Sequence, residues 1–155
     1  MNTGNHIKLI SHRGNINGCN PKLENTPDYI KDAIHLGYDV EIDIWYSNNT
    51  LWLGHDNPEY QIDLHFLLEN ANKLWVHCKN FEALSHLLKE ESLKLFYHKK
   101  EEYTIISNNL IWAHNISNVN EKCIIPLLSK NDVKNWKPTK VYGVCSDYID
   151  LVKKL

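Results

Sequence analysis

Between Tyr38 and Trp45 the chain alternates. Val40, Ile42 and Ile44 share one parity, and Glu41 and Asp43 share the other. Successive side chains of a strand point to opposite faces, so this segment reads as a strand with one apolar face and two carboxylates together on the other. On an exposed antiparallel strand those acids would simply be solvated. A parallel strand in an α/β protein is covered on both faces. Two carboxylates confined there repel each other and raise a pKa unless a cation sits between them. A divalent ion with oxygen ligands, Mg²⁺ or Ca²⁺, answers that repulsion. The same parity recurs downstream, where Leu74, Val76 and Cys78 oppose Trp75, His77 and Lys79, and His12 follows the apolar run Leu9-Ile10-Ser11.

The rest of the chain alternates on a larger scale. Short β-branched or aromatic runs at Ile7–Ser11, Val40–Tyr46, Leu74–Cys78, Leu93–Tyr97, Tyr103–Ile106, Leu110–Ala113, Lys122–Leu127 and Val141–Cys145 predict strands. Helical patterns lie between several of them. Thr26 is placed to cap a helix with Pro27 in its first turn, ending at Gly37, and Asn80 is placed to cap Phe81–Glu91. Asn48-Asn49 and Asn108-Asn109 sit between apolar runs and predict hairpin turns, because Asn tolerates the left-handed backbone of a tight turn. This succession predicts an α/β protein with parallel strands. Titratable residues then fall at strand C-terminal ends, where such sheets place their sites.

Composition narrows the reading. One hundred and fifty-five residues with 43% hydrophobic and 23% charged side chains predict a single globular domain over 1–155. A formal charge of −2 gives no electrostatic case for nucleic acid or an anionic membrane. No apolar run is long enough to span a bilayer, and the polar start Met1–His6 has no apolar leader core. Cys19, Cys78, Cys123 and Cys145 form no CxxC pair, and three lie in apolar segments, which predicts free thiols in a reducing, cytoplasmic setting. Lysines number 16 against a single arginine, Arg13, a ratio that suits AT-rich coding, as do 19 asparagines. Lys has not replaced that one Arg, and only Arg offers a planar two-pronged donor.

Ser11-His12-Arg13-Gly14, Leu23-Glu24-Asn25-Thr26, Gly37-Tyr38-Asp39-Val40-Glu41-Ile42-Asp43 and Leu53-Gly54-His55-Asp56 occur in that order. They resemble the HRG, ENT, G-x-D-x-(I/V)-E-x-D and HD elements of the glycerophosphodiester phosphodiesterase family. Residues 9–56 carry the resemblance. More faintly, Trp75–Lys79 looks like the family's third strand and Gly143–Tyr148 like its closing strand. His77 stands where the family usually has a Glu ligand, and the arginine-rich stretch after HD is absent.

The resemblance implies a reduced TIM-type (βα) barrel with shortened or missing helices, since 155 residues are few for eight (βα) units. It implies a divalent metal (Mg²⁺ or Ca²⁺, with Mn²⁺ an alternative) and a small-molecule, lipid-linked or polysaccharide-linked phosphodiester substrate. It makes His12 and His55 the acid–base pair, puts Arg13 and Lys79 on the phosphate, makes Glu41 and Asp43 metal ligands, and makes Glu24 a ligand or close neighbour of the metal. His77 is open between metal ligation, substrate binding and a site tuned toward Mn²⁺ or Zn²⁺. His98, with Glu101 and Glu102, is a candidate for the site rim. Hydrolysing a phosphodiester needs charge neutralisation, an activated nucleophile and a protonated leaving group; a cation, Arg13 and Lys79 suit the first, and two imidazoles suit the others. The alternative is a non-catalytic relative that binds a phosphorylated ligand.

Overall fold

A computed structural model describes residues 6–155. The polar stretch over 1–5, read above as part of a start without an apolar leader, lies outside the described residues. Ten strands join one mixed sheet: β1 (Lys8–His12), β2 (Asp39–Ser47), β3 (Thr50–Leu53), β4 (Tyr60–Ile62), β5 (Leu74–Cys78), β6 (Lys94–Phe96), β7 (Tyr103–Ile105), β8 (Ile111–Ala113), β9 (Cys123–Pro126) and β10 (Gly143–Ser146). Five short helices accompany them: α1 (Pro27–His35), α2 (Leu64–Glu69), α3 (Phe81–Leu87), α4 (Lys130–Asn135) and α5 (Ile149–Val152). None is long and apolar enough to cross a membrane.

The seven strands β6-β5-β2-β1-β10-β9-β8 run parallel through successive ladders. β3 and β4 add an antiparallel meander on β2, and β7 pairs antiparallel with β8. The expected reduced TIM-type (βα) barrel is therefore corrected: the sheet is an open, strand-dominated half-barrel. Residues 97–122 hold β7 and β8 but no helix, so there is no alternating helix to cover that part of the sheet. A (βα) unit takes roughly 30 residues, and this stretch is too short for the two it would need. Among the described residues, β6 and β8 share no ladder. The seam between them is crossed instead by a ring stack and by a pair of hydrogen bonds. Phe96 stacks on Trp112 at 4.6 Å between ring centroids, and Ser107 donates its N–H to Leu95 O and accepts from Leu95 N, each at 2.8 Å.

Local chemistry accounts for the elements. The Thr26 side chain accepts from Tyr29 N and Pro27 opens α1. Asn80 caps α3 by accepting from Ala83 N, and Ser129 and Asp132 form a capping box on α4. Asn48 and Asn49 both have positive φ, 51° and 58°, as a two-residue hairpin turn requires. Strand parity sorts the core. Val40, Ile42, Ile44 and Val76 pack outward with residues of α1, α2 and α3. Val144 and Ile125 do the same with Val133 of α4 and Ile149 of α5. The concave face holds Ile10, Trp75, Phe96, Trp112, Ile124 and Cys145. Cys78, Cys123 and Cys145 are buried as small apolar side chains. On the concave face, the opposite parity of β2 and β5 carries the polar residues toward the strand C-termini.

Candidate active site

A cavity of about 440 Å³ opens at those C-termini, lined by His12, Arg13, Glu41, His55, His77, Lys79, His98 and His114, among others. Several strand ends contribute to the site. His12 closes β1, Glu41 and Asp43 lie within β2, and His77 within β5. His98 lies just beyond β6, His114 just beyond β8, and Asp147 just beyond β10. The register pairs Asp43 with His77 across the parallel β2–β5 ladder, so neighbouring strands deliver them side by side.

Glu41, Asp43 and His77 each present a ligand atom within 4.8 Å of the others, and all three are buried. His77 Nδ1 lies 3.2 Å from Asp43 Oδ1 and 3.7 Å from Glu41 Oε1. Glu41 Oε2 and Asp43 Oδ1 are buried without a hydrogen-bond partner. Two orphaned carboxylate oxygens beside an imidazole nitrogen fit a divalent cation, and the mixed oxygen and nitrogen donors suit Mn²⁺ or Zn²⁺ better than an all-oxygen set would. Burial and the neighbouring Asp43 charge push the Glu41 carboxyl above its ordinary range. Burial acts the same way on Asp43, but His77, Arg13 and Lys79 outweigh it and hold that carboxyl well below its ordinary range. The like-charge conflict expected from parity is thus present, and it falls on Glu41.

Arg13 reaches two acids, with Nε 3.0 Å from Asp43 Oδ2 and Nη1 3.3 Å from Glu24 Oε2. Lys79 Nζ lies 3.7 Å from Asp43 Oδ1. The Arg13 backbone has φ 59°, in the left-handed region, followed by Gly14 at φ 94°. A Cβ on Gly14 would also meet the Tyr29 ring at 2.5 Å. Such strain persists only where the surroundings enforce it, and it clusters at functional sites.

The structure draws Glu24 toward Arg13 rather than into the group of Glu41, Asp43 and His77. Its carboxylate accepts from Asn15 Nδ2 at 2.9 Å and from Cys19 Sγ at 2.9 Å in addition to Arg13. His55 is half-exposed at the rim with Nδ1 2.8 Å from Asp56 Oδ1. Burial and the nearby Arg13 charge push its pKa down. His12 goes the other way. Burial lowers its pKa, but the hydrogen bond with Asp147 and the Glu41 charge raise it further. His98 lines the cavity, stacked on His77 at 4.3 Å, and burial with the His77 and His114 charges brings its pKa down to about 4. Glu101 and Glu102 line an adjoining hollow instead.

Sequence reasoning missed four residues. Asp147 accepts from Asn15 Nδ2 at 2.8 Å and holds His12 Nδ1 at 2.7 Å. Asn25, at φ 61°, donates to Asp43 Oδ2 and accepts from the Asp43 N–H. His114 faces His98 with Nε2 atoms 3.3 Å apart. Asp147 and Asn25 stand inside quoted motifs, and His114 follows an expected strand as His12 does, so position at a strand end was the available signal. Asn15 had none. Searches of protein-family models, curated proteins and solved structures found no match to this chain.

Proposed function

We propose that the chain is a metal-dependent phosphodiesterase acting on a glycerophosphodiester or a related small, lipid-linked or polysaccharide-linked diester, in a reducing, cytoplasmic setting. The observation that carries the reading is the meeting of His12, His55, Arg13 and Lys79 around one cavity with the orphaned oxygens of Glu41 and Asp43. The four-element resemblance over residues 9–56 supports it.

Glu41, Asp43 and His77 would hold the divalent ion, which supplies neutralisation of the diester anion when bound. Lys79 and the guanidinium of Arg13 add positive charge on the same side, Arg13 with its fork held by Glu24 and Asp43. The two histidines divide the proton work by environment. Asp147 stabilises a protonated His12, and Arg13 favours a neutral His55. His55 therefore takes the proton of the attacking hydroxyl as its oxygen bonds to phosphorus. His12 Nε2 gives a proton to the departing alcohol oxygen as its bond to phosphorus breaks. Each contribution is typically worth about 10²- to 10⁴-fold.

The test is turnover of bis(p-nitrophenyl) phosphate and of glycerophosphodiesters with Mg²⁺, Ca²⁺, Mn²⁺ or chelator, using wild type and His12→Ala. Metal-dependent turnover lost in His12→Ala is expected. Turnover that survives chelation, or is equal in the variant, overturns the reading, and binding without turnover points to a phosphate-binding protein.

A further inference from the structure

Asn15 is fully buried in the turn that follows Arg13 and Gly14, and its side-chain amide is hydrogen-bonded on both sides. Oδ1 accepts from the Asn20 N–H at 3.1 Å and from the Tyr29 hydroxyl at 3.2 Å. An amide nitrogen cannot accept from a backbone N–H, so the Asn20 bond fixes which way the amide faces. Nδ2 then donates to Glu24 Oε1 at 2.9 Å and to Asp147 Oδ1 at 2.8 Å. That Asp147 oxygen is the one that meets His12 Nδ1 at 2.7 Å, and Glu24 is the carboxylate that meets Arg13 Nη1 at 3.3 Å. The backbone is pinned as well. The Asn15 N–H donates to His12 O at 3.0 Å, and Asn15 O accepts from the Ser11 hydroxyl at 2.8 Å.

We propose that Asn15 is a positioning residue that holds His12 in register with Arg13: through Asp147 it fixes the imidazole, and through Glu24 it ties that imidazole to the guanidinium. The inference rests on the phosphodiesterase reading for what His12 and Arg13 do. Two carboxylates that meet at one nitrogen repel each other, and the two amide hydrogens offset that repulsion by giving each a donor. No close relative of Asn does the same in this place. An ionised Asp has no donor and would add a third negative charge, Ser has one donor, and Gln carries the amide one methylene too far. A ring held on one nitrogen presents the other at a fixed place, and a small misplacement of a reacting group is costly.

The experiment uses the full chain and has two readouts. Two-bond ¹H–¹⁵N spectra, taken where the ring is neutral, show which nitrogen of His12 carries the proton; His12→Gln assigns the signal. Wild type should hold the proton on Nδ1, facing Asp147, and Asn15→Ala should release the ring to a mixture of tautomers. Turnover is the second readout. An alkoxide needs a proton to leave more than p-nitrophenolate does. Asn15→Ala should therefore lower kcat for glycerophosphoglycerol by about 10- to 100-fold and for bis(p-nitrophenyl) phosphate by several-fold less, whereas a merely weakened fold lowers both in proportion. Glu24→Gln should cost less kcat on the Asn15→Ala background than on wild type, because the amide that links the two sides is gone. Tyr29→Phe removes one bond onto the amide without emptying its place and should give the same tautomer change more weakly. A wild-type ring protonated on Nε2, a tautomer unchanged in Asn15→Ala (or in Tyr29→Phe if Asn15→Ala does not fold), equal losses on the two diesters, or equal costs of Glu24→Gln on both backgrounds overturns the inference. Wild-type turnover reports on the phosphodiesterase reading separately. A tautomer released by Asn15→Ala in a chain without turnover counts against the enzyme and keeps Asn15 as the holder of His12; turnover with an unchanged tautomer does the reverse.

Discussion

The Nδ1 atom of His12 lies 2.7 Å from Asp147 Oδ1, and 135 positions of sequence separate the two residues. Parallel pairing of β1 with β10 brings them together at neighbouring strand ends. The contact fixes the ring, leaving Nε2 directed toward Glu41 at 3.7 Å. It also raises the His12 pKa above its ordinary 6.5 against the lowering effect of burial. The Asp147 carboxyl, which burial would raise, is held below its ordinary 3.8 by His12.

The pair sets a pH window. A raised histidine pKa adds stability that is complete below the unfolded value and is lost as pH rises through the folded one. A depressed carboxyl pKa adds stability that is complete above the unfolded value and is lost as pH falls through the folded one. The contribution is thus full between about 3.8 and 6.5. Asp147→Asn should remove it, flattening the decline of urea stability above that window. If His12 donates the proton, the variant also moves the alkaline limb of the rate profile to lower pH. An acid-limb shift instead would reverse the assigned roles of His12 and His55.

Glu41→Gln should separate apo stability from metal binding. It removes a buried charge held beside Asp43, so the metal-free protein should gain about 1 kcal/mol, the order of one relieved unsatisfied group. It should also lose the stabilisation that Mn²⁺ gives wild type, about 2.7 kcal/mol at a hundredfold excess over Kd. Thermal unfolding with and without Mn²⁺ measures both. An equal Mn²⁺ shift in the variant would remove Glu41 from the ligand set.

Arg13→Lys keeps the charge and loses the fork. A single ammonium cannot reach Asp43 and Glu24 as Nε and Nη1 do. We expect a loss of about 3 kcal/mol in stability, as for a broken buried pair, with kcat falling at least tenfold. Denaturant unfolding and steady-state kinetics test it, and a variant with wild-type kcat would show that charge alone suffices.

Trp112→Ala should open the seam. The indole is buried, and its stacking on Phe96 crosses the boundary where β6 and β8 share no ladder. The expected cost is about 3–5 kcal/mol, the usual range for a buried Trp truncated to Ala. Hydrogen exchange should show the Leu95–Ser107 bonds opening first. Uniform loss of protection across the sheet would mean that the seam is not a local weak point.

Much of the site was legible because strand parity is a local property. The Tyr38–Trp45 alternation places Glu41 and Asp43 on one face whatever the fold, and Thr26, Asn80 and Asn48-Asn49 act on backbone groups within a few residues of themselves. The quoted motifs likewise placed His12, Arg13 and His55 at strand ends, and the structure lines one cavity with all three. Sheet closure was not legible. Whether β6 meets β8 depends on how residues 97–122 cross between them, and they do so through a hairpin with no helix. Nor was the partner of any site residue. Asp147 on His12, Asn25 on Asp43 and His114 on His98 are contacts set by register between strands remote in sequence. The sequence by itself determined which side chains share a face, because a strand repeats every two residues. Only the tertiary structure decided which faces meet and where the sheet stays open, because those depend on pairings between distant segments and on how much chain is left to make them.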